Sequence, residues 1–213
     1  MNYLYKEIEM IRQMPGAFLG TNSISAMYSY LHGFRKGLYR LGEEDKGKTL
    51  LPLPFHYFHE YVSSCHSWHC PTAGWCNIIL KGNNFDEEKS LDVFFELFSK
   101  FISLSIQSCQ YAKLDSKAIL YHSTDERAPK LLLPPDYEQT KPLYLNPTEI
   151  FLFELPDTGY LPMVNTATQH RLERIFKNEN EAKSFVKHCF GSTLNWNDIR
   201  IENYNFTMEF LSY

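Results

Sequence analysis

Glu7-Ile8-Glu9-Met10-Ile11-Arg12-Gln13-Met14-Pro15-Gly16-Ala17-Phe18-Leu19-Gly20, followed by Thr21-Asn22-Ser23-Ile24-Ser25, is the stretch whose reading decides the fold. Pro15-Gly16 and Gly20 are turn formers, and they part a first apolar helix from a second that opens at a capping cluster. The segment reads as a tight helix-loop-helix. Beyond it, Ile24, Met27, Tyr28, Leu31, Phe34, Leu38 and Leu41 recur at three- and four-residue steps and predict one buried stripe on a long helix. Gly33 and Gly37 lie four apart on that helix, which points to close helix packing or a local bend.

Working outward, residues 42–54 are charged and then Pro-rich and read as an exposed connector. A third helix is expected over 55–62. The strongest helical signal follows Gly82, with Asn84 as cap and Glu87 three residues on. Its apolar face is Leu91, Phe94, Phe95, Phe98, Phe101 and Ile102, and Glu96 and Lys100 pair one turn apart outside. Character changes near Ser108. From there short β-like runs alternate with Pro and Gly breaks: 118–121, a loop with Pro134, Pro135 and Pro142, and then 149–155, which is apolar on both faces and so belongs in the middle of a sheet. Residues 171–176 alternate as a half-buried strand or begin a helix. Asn178 caps a helix with Glu181 at its third position, burying Ala182, Phe185, Val186 and Cys189 and stopping at Gly191. The tail alternates with period two over 199–202 and 206–210 and predicts two more strands. The expectation is an α+β fold: a helical N-terminal half (1–107) packed with a C-terminal half (108–213) of mainly antiparallel strands plus one helix, as two regions or one continuous domain.

Composition bounds the function. The 213 residues include 44% hydrophobic and 15% aromatic side chains, enough for a substantial core without staples. A net charge of -4 argues against general affinity for nucleic acid, which needs clustered Lys and Arg. A mildly acidic chain suits a basic protein partner instead. The N-terminus shows no basic start with an apolar run of about 7 to 15 residues behind it, and no stretch approaches about 18 apolar residues, so a cytoplasmic protein without a membrane segment is expected. Five cysteines in that compartment read as thiols.

Three constellations bear on chemistry. Cys65-His66-Ser67-Trp68-His69-Cys70, with Cys76 nearby and His56 and His59 upstream, holds zinc-type ligands. They form one clump without the second knuckle of a closed tetrahedral site, so no metal is expected there. A small zinc-binding or metal-dependent enzyme using the 65–76 region is the alternative function. A thiol nucleophile among the same cysteines would need an imidazole placed in space beside it, and Cys109 and Cys189 lie on apolar patterns that assign them to the core. Met14-Pro15-Gly16-Ala17-Phe18-Leu19-Gly20 is superficially similar to an Arg-Pro-Gly-Met-Tyr-Ile-Gly segment of gyrase-type ATPases, but neither the E-x-x-x-N helix nor the Gly-rich lid follows. No P-loop, G-x-S-x-G, H-E-x-x-H or GxGxxG occurs.

A different likeness survives. Ile11-Arg12-x-x-Pro15-Gly16-x-Phe18-Leu19-Gly20, Ser23-Ile24, Leu31-x-Gly33-Phe34, Gly74-Trp75-x-x-Ile78-Ile79 and Phe94-Phe95-Glu96-Leu97 together resemble a family of small bacterial proteins encoded beside polymorphic or contact-dependent toxins, as their immunity proteins. The likeness covers roughly the first half, with Met14 and Ala17 where that family tends to have Arg and Met. It implies an antitoxin without catalytic residues or cofactor, which binds the C-terminal domain of a cognate toxin and occludes its active site. Were that toxin a nuclease with a basic cleft, Glu43, Glu44 and Asp45 or Asp86, Glu87 and Glu88 are the acidic stretches that could face it, although each also suits a solvated loop or helix end.

Overall fold

The structure, a computed structural model, describes residues 3–41, 51–68, 74–114, 147–166, 170–172, 174–190 and 194–200. The connector at 42–50, the run at 118–121, the Pro134, Pro135 and Pro142 loop, the stop at Gly191 and the tail from 201 onward lie outside the described residues. The fold is α+β, and the chain divides into two compact units between Leu104 and Ser105.

The first unit is helical: α1 (Tyr3–Gln13), α2 (Pro15–Leu19), α3 (Ile24–Leu41), a 3-10 turn (Phe55–Tyr57), α4 (Phe58–Cys65), α5 (Gly74–Gly82) and α6 (Glu87–Ile102). Pro15 cannot donate the hydrogen bond that would prolong α1, but its fixed φ suits the first turn of α2. Gly20 then closes α2 with φ 71°, a left-handed conformation that glycine adopts at little cost, and donates its N–H to the Gly16 carbonyl.

The core of this unit is aromatic. Phe58 is fully buried, and the rings of Phe55, Trp75, Phe94, Phe98 and Phe101 centre 5.3 to 6.2 Å from it, mostly edge to face. Two further contacts fix α1 on α6, and a third joins the end of α4 to α5. Arg12 of α1 donates to the Phe95 carbonyl at 2.7 Å with its guanidinium over the Phe95 ring. The Tyr5 hydroxyl donates to the Leu53 carbonyl while its ring meets Phe98 edge on. At the far end of α4 the His66 ring lies so near Gly82 that a Cβ there would sit 3.2 Å from it.

Two expectations change here. The cap of α6 is Asp86, whose Oδ1 accepts from the Lys89 N–H at 2.9 Å. Asn84 and Phe85 have φ of 55° and 63° and belong to the exit from α5, where the Phe85 N–H donates to the Leu80 carbonyl. The α3 stripe also departs from expectation. Ile24, Met27 and Leu31 are buried, Phe34 and Leu38 are half-buried, and Tyr28 and Leu41 are exposed. Among the described residues Gly33 and Gly37 have no close packing partner, because a Cβ at either would meet no atom within 4 Å.

The second unit is a five-stranded antiparallel sheet in the order β4-β3-β2-β1-β5, with β1 at Ser108–Lys113, β2 at Pro147–Leu155, β3 at Gly159–Thr166, β4 at His170–Leu172 and β5 at Asn197–Ile199. β2 is central, as its two apolar faces require. On one face Ile150 and Leu152, with Ala112 and Val164 beside them, meet Ala182 and Val186 of α7 (Glu179–Phe190). Phe151, Phe153, Cys109, Leu161 and Met163 alternate onto the other face and are buried too. Asn178 caps α7 by accepting from the Glu181 N–H at 2.9 Å. The 171–176 run is split: its start lies in β4, and Phe176 pairs separately with Tyr160. That pairing requires Gly159, since a Cβ there would fall 2.1 Å from the Phe176 carbonyl oxygen.

Replacing Phe58 with Ala should cost about 3 to 5 kcal/mol, because no neighbouring ring can refill so central a volume. Chemical denaturation checks this. A midpoint unchanged from the parent would mean that Phe58 is not the hub of the core.

Candidate functional site

The acidic start of α6 is built into the scaffold. Helix α3 opens with Ser23 as its cap, since Ser23 Oγ accepts from the Ala26 N–H at 3.1 Å. The same hydroxyl donates to Glu87 Oε2 at 2.7 Å, and that oxygen also accepts from the Ser25 N–H at 3.0 Å, while Oε1 accepts from Ser25 Oγ at 2.7 Å. One carboxylate from the first turn of α6 therefore satisfies donors at the start of α3. It lies at the positive ends of both helix dipoles. Burial works to raise the Glu87 pKa, but hydrogen bonds from Ser25, Ser23 and the Ile24 backbone outweigh it and hold the carboxyl below its ordinary value. Glu88 accepts from Asn22 Nδ2 at 3.3 Å, and Asp86 is occupied as the cap. Glu43, Glu44 and Asp45 lie outside the described residues.

The Cys and His residues are spread over different contacts. His69 and Cys70 lie outside the described residues. Cys65, at the end of α4, is the exposed one of the three described thiols, yet burial of its sulfur is the largest influence and pushes the thiol pKa up against the opposing hydrogen bonds of Tyr61 and Ser64. His66 turns Nδ1 to the Val62 carbonyl one turn back, at 3.1 Å. Cys76 is buried in α5, where its Sγ lies 3.8 Å from the Ile24 carbonyl and burial raises its pKa to about 11. Burial likewise takes Cys109 to about 12, and it lowers the pKa of His59. The raised pKa of each of the three thiols disfavours the thiolate that metal ligation or nucleophilic attack requires. Among the described residues no three His, Cys, Asp or Glu side chains come together as a metal site.

The feature that pattern reading missed is the outer end of α3. Leu31 is the last buried residue of the helix, which continues for ten more residues, or about 15 Å. This end carries Arg35, Lys36 and Arg40, and α3 has no Asp or Glu anywhere along it. Tyr30, just before it, donates its hydroxyl to Glu7 of α1, which raises the tyrosine pKa to about 12, and its ring stacks on Phe34 and meets Phe18 of α2 edge on. Tyr39 and Leu41 are 59% and 75% exposed. The run Arg35-Lys36 with Arg40 was visible in the sequence, but the apolar period assigned the whole helix to the core.

Compared with known proteins, the chain matches no family model, no curated protein and no solved structure. Among the described residues no helix is long and apolar enough to cross a membrane.

Replacing Glu87 with Gln should lower stability by about 1 kcal/mol, the usual worth of a helix cap. Because the folded-state pKa is depressed, the stability linked to the carboxylate is fully present above the ordinary carboxyl value and is lost as the pH falls through the folded value. The gap between parent and variant, measured by urea denaturation, should be constant near neutrality and close on acidification below about pH 4.5. A gap independent of pH would contradict a charged clamp.

Proposed function

We propose that this chain is an immunity protein that binds the C-terminal domain of a bacterial toxin and covers its active site. The observation that carries the reading is that large apolar side chains are exposed on two neighbouring helices: Tyr3 and Met10 on α1 with Met14 just beyond it, and Tyr28, Tyr39 and Leu41 on α3. Aromatic and methionine side chains left in water on a rigid helical body suit a protein contact, where a few such anchors dominate affinity. The residues of the family-like pattern supply the body: Arg12 ties α1 to α6, Gly20 and Ser23 cap helices, and Trp75 and Phe94 fill the core. Such a protein needs no chemistry of its own. It needs a fixed surface, and specificity then comes from attractive and repulsive contacts across it.

Co-expression tests the proposal. The protein should co-purify one to one with the toxin domain encoded beside its gene, and should protect cells from that toxin but not from an unrelated one. An interface of about 1,200 to 2,000 Å² is expected for such a complex. Failure both to co-purify and to protect would exclude immunity to that toxin.

A further inference from the structure

Phe85, in the turn between α5 and α6, combines two unfavourable features that nothing among the described residues compensates. Its backbone is left-handed, with φ 63° directly after Asn84 at 55°. Asparagine tolerates that region and glycine adopts it at little cost, but for a bulky side chain it is an outlier. Its ring is also 72% exposed and makes no ring contact among the described residues. The other described phenylalanine side chains are buried or half-buried. The turn is held from both sides. The Phe85 N–H donates to the Leu80 carbonyl at 2.8 Å, and Asn83 Nδ2 donates to the Ile79 carbonyl at 2.9 Å. Beyond it the Asp86 N–H donates to the Asn83 carbonyl at 3.1 Å, and the Asp86 side chain caps α6. This geometry requires a left-handed residue at position 85. It does not require phenylalanine, since glycine or asparagine would make the same turn with less strain. A strained residue fixed by the hydrogen bonds around it is a reason to look for a function outside the fold.

We infer that Phe85 is an anchor, presented by the α5–α6 turn to an apolar pocket with a basic rim on a protein partner. A ring already held in water by a fixed turn loses little freedom on binding, which is how a single aromatic residue comes to dominate an interface. The neighbouring charge selects the occupant. Asp86-Glu87-Glu88-Lys89 carries three carboxylates against one ammonium, and Asp86 and Glu88 are exposed. A second copy of this chain does not fit, because a two-fold contact through Phe85 would set Asp86 and Glu88 against their own counterparts. An anionic lipid surface would be repelled by the same carboxylates. A protein pocket rimmed by Lys or Arg complements both the ring and the charge. The inference deepens the immunity reading by naming the residue that enters the toxin, and to that extent it rests on it.

The test uses the full chain and two probes: the toxin domain encoded beside the gene, and random peptides displayed on phage and selected on the parent protein. Phe85→Gly and Phe85→Asn both keep the left-handed turn and remove the ring. Each should lose at least about tenfold in affinity for the toxin domain. Each should also unfold at a denaturant midpoint no lower than the parent's, because the strain goes with the ring. A lower midpoint for both variants would make the ring part of the fold and overturn the inference. Glu88→Gln should slow association at low ionic strength, and an unchanged rate would overturn the basic rim. Equal binding of the toxin domain to the parent and both variants removes the anchor and leaves the immunity reading. A toxin domain that binds none of them removes the immunity reading, and the peptides then decide the anchor. Peptides that hold the parent and lose both variants uphold it, and peptides that hold all three equally overturn it.

Discussion

The described helical unit depends on one carboxylate at the meeting of two helix starts. An α-helix begins with N–H groups that have no partner of their own, and bringing two such ends together would leave both sets short of acceptors. Glu87 resolves this for α3 from the first turn of α6, with Ser23 and Ser25 completing the hydrogen bonds. With its start held there, α3 packs on α6, and Ile24, Met27 and Leu31 reach the core. Beyond Leu31 the helix is covered only in part, with Phe34, Arg35 and Leu38 half-buried and Lys36, Tyr39, Arg40 and Leu41 exposed. The same interaction withdraws Glu87 from the acidic surface.

Around that junction the stabilising contribution is apolar. Rings on α4, α5 and α6 enclose Phe58, and edge-to-face geometry lets them fill the volume without polar atoms. The second unit applies a different rule: alternation along β1, β2 and β3 sends one set of side chains to α7 and the other to the opposite face, so the central strand reads as continuously apolar. Among the described residues most of the phenylalanines belong to these cores. The exposed large apolar residues, Tyr39 and Leu41 among them, stand out against that background.

The signals legible in the sequence were local ones. Pro15 and Gly20 mark their helix boundaries, the 149–155 run announces a central strand, and Asn178 with Glu181 announces the start of α7. The α6 cap was misplaced by two residues, because Asn84 and Asp86 both suit a cap and nothing in the sequence announced two successive left-handed residues, the second of them a phenylalanine. The stripe on α3 was followed too far: periodicity reports which residues share a face, not where the neighbouring helix ends. The candidate site was less legible. Asp86, Glu87 and Glu88 were visible as charge, but their engagement by Asn22, Ser23 and Ser25, more than sixty residues away, is a tertiary fact.

The account's central claim is that α3 is one helix in two states of support, anchored up to Leu31 and only partly covered beyond it. Amide hydrogen exchange resolved along α3 tests this most directly, because amides in a partly covered end open locally while those in the anchored part need a larger unfolding event. The account predicts strong protection for the Met27 to Leu31 turn and exchange at least about tenfold faster from Lys36 onward. Uniform protection along all eighteen residues of α3 would contradict it.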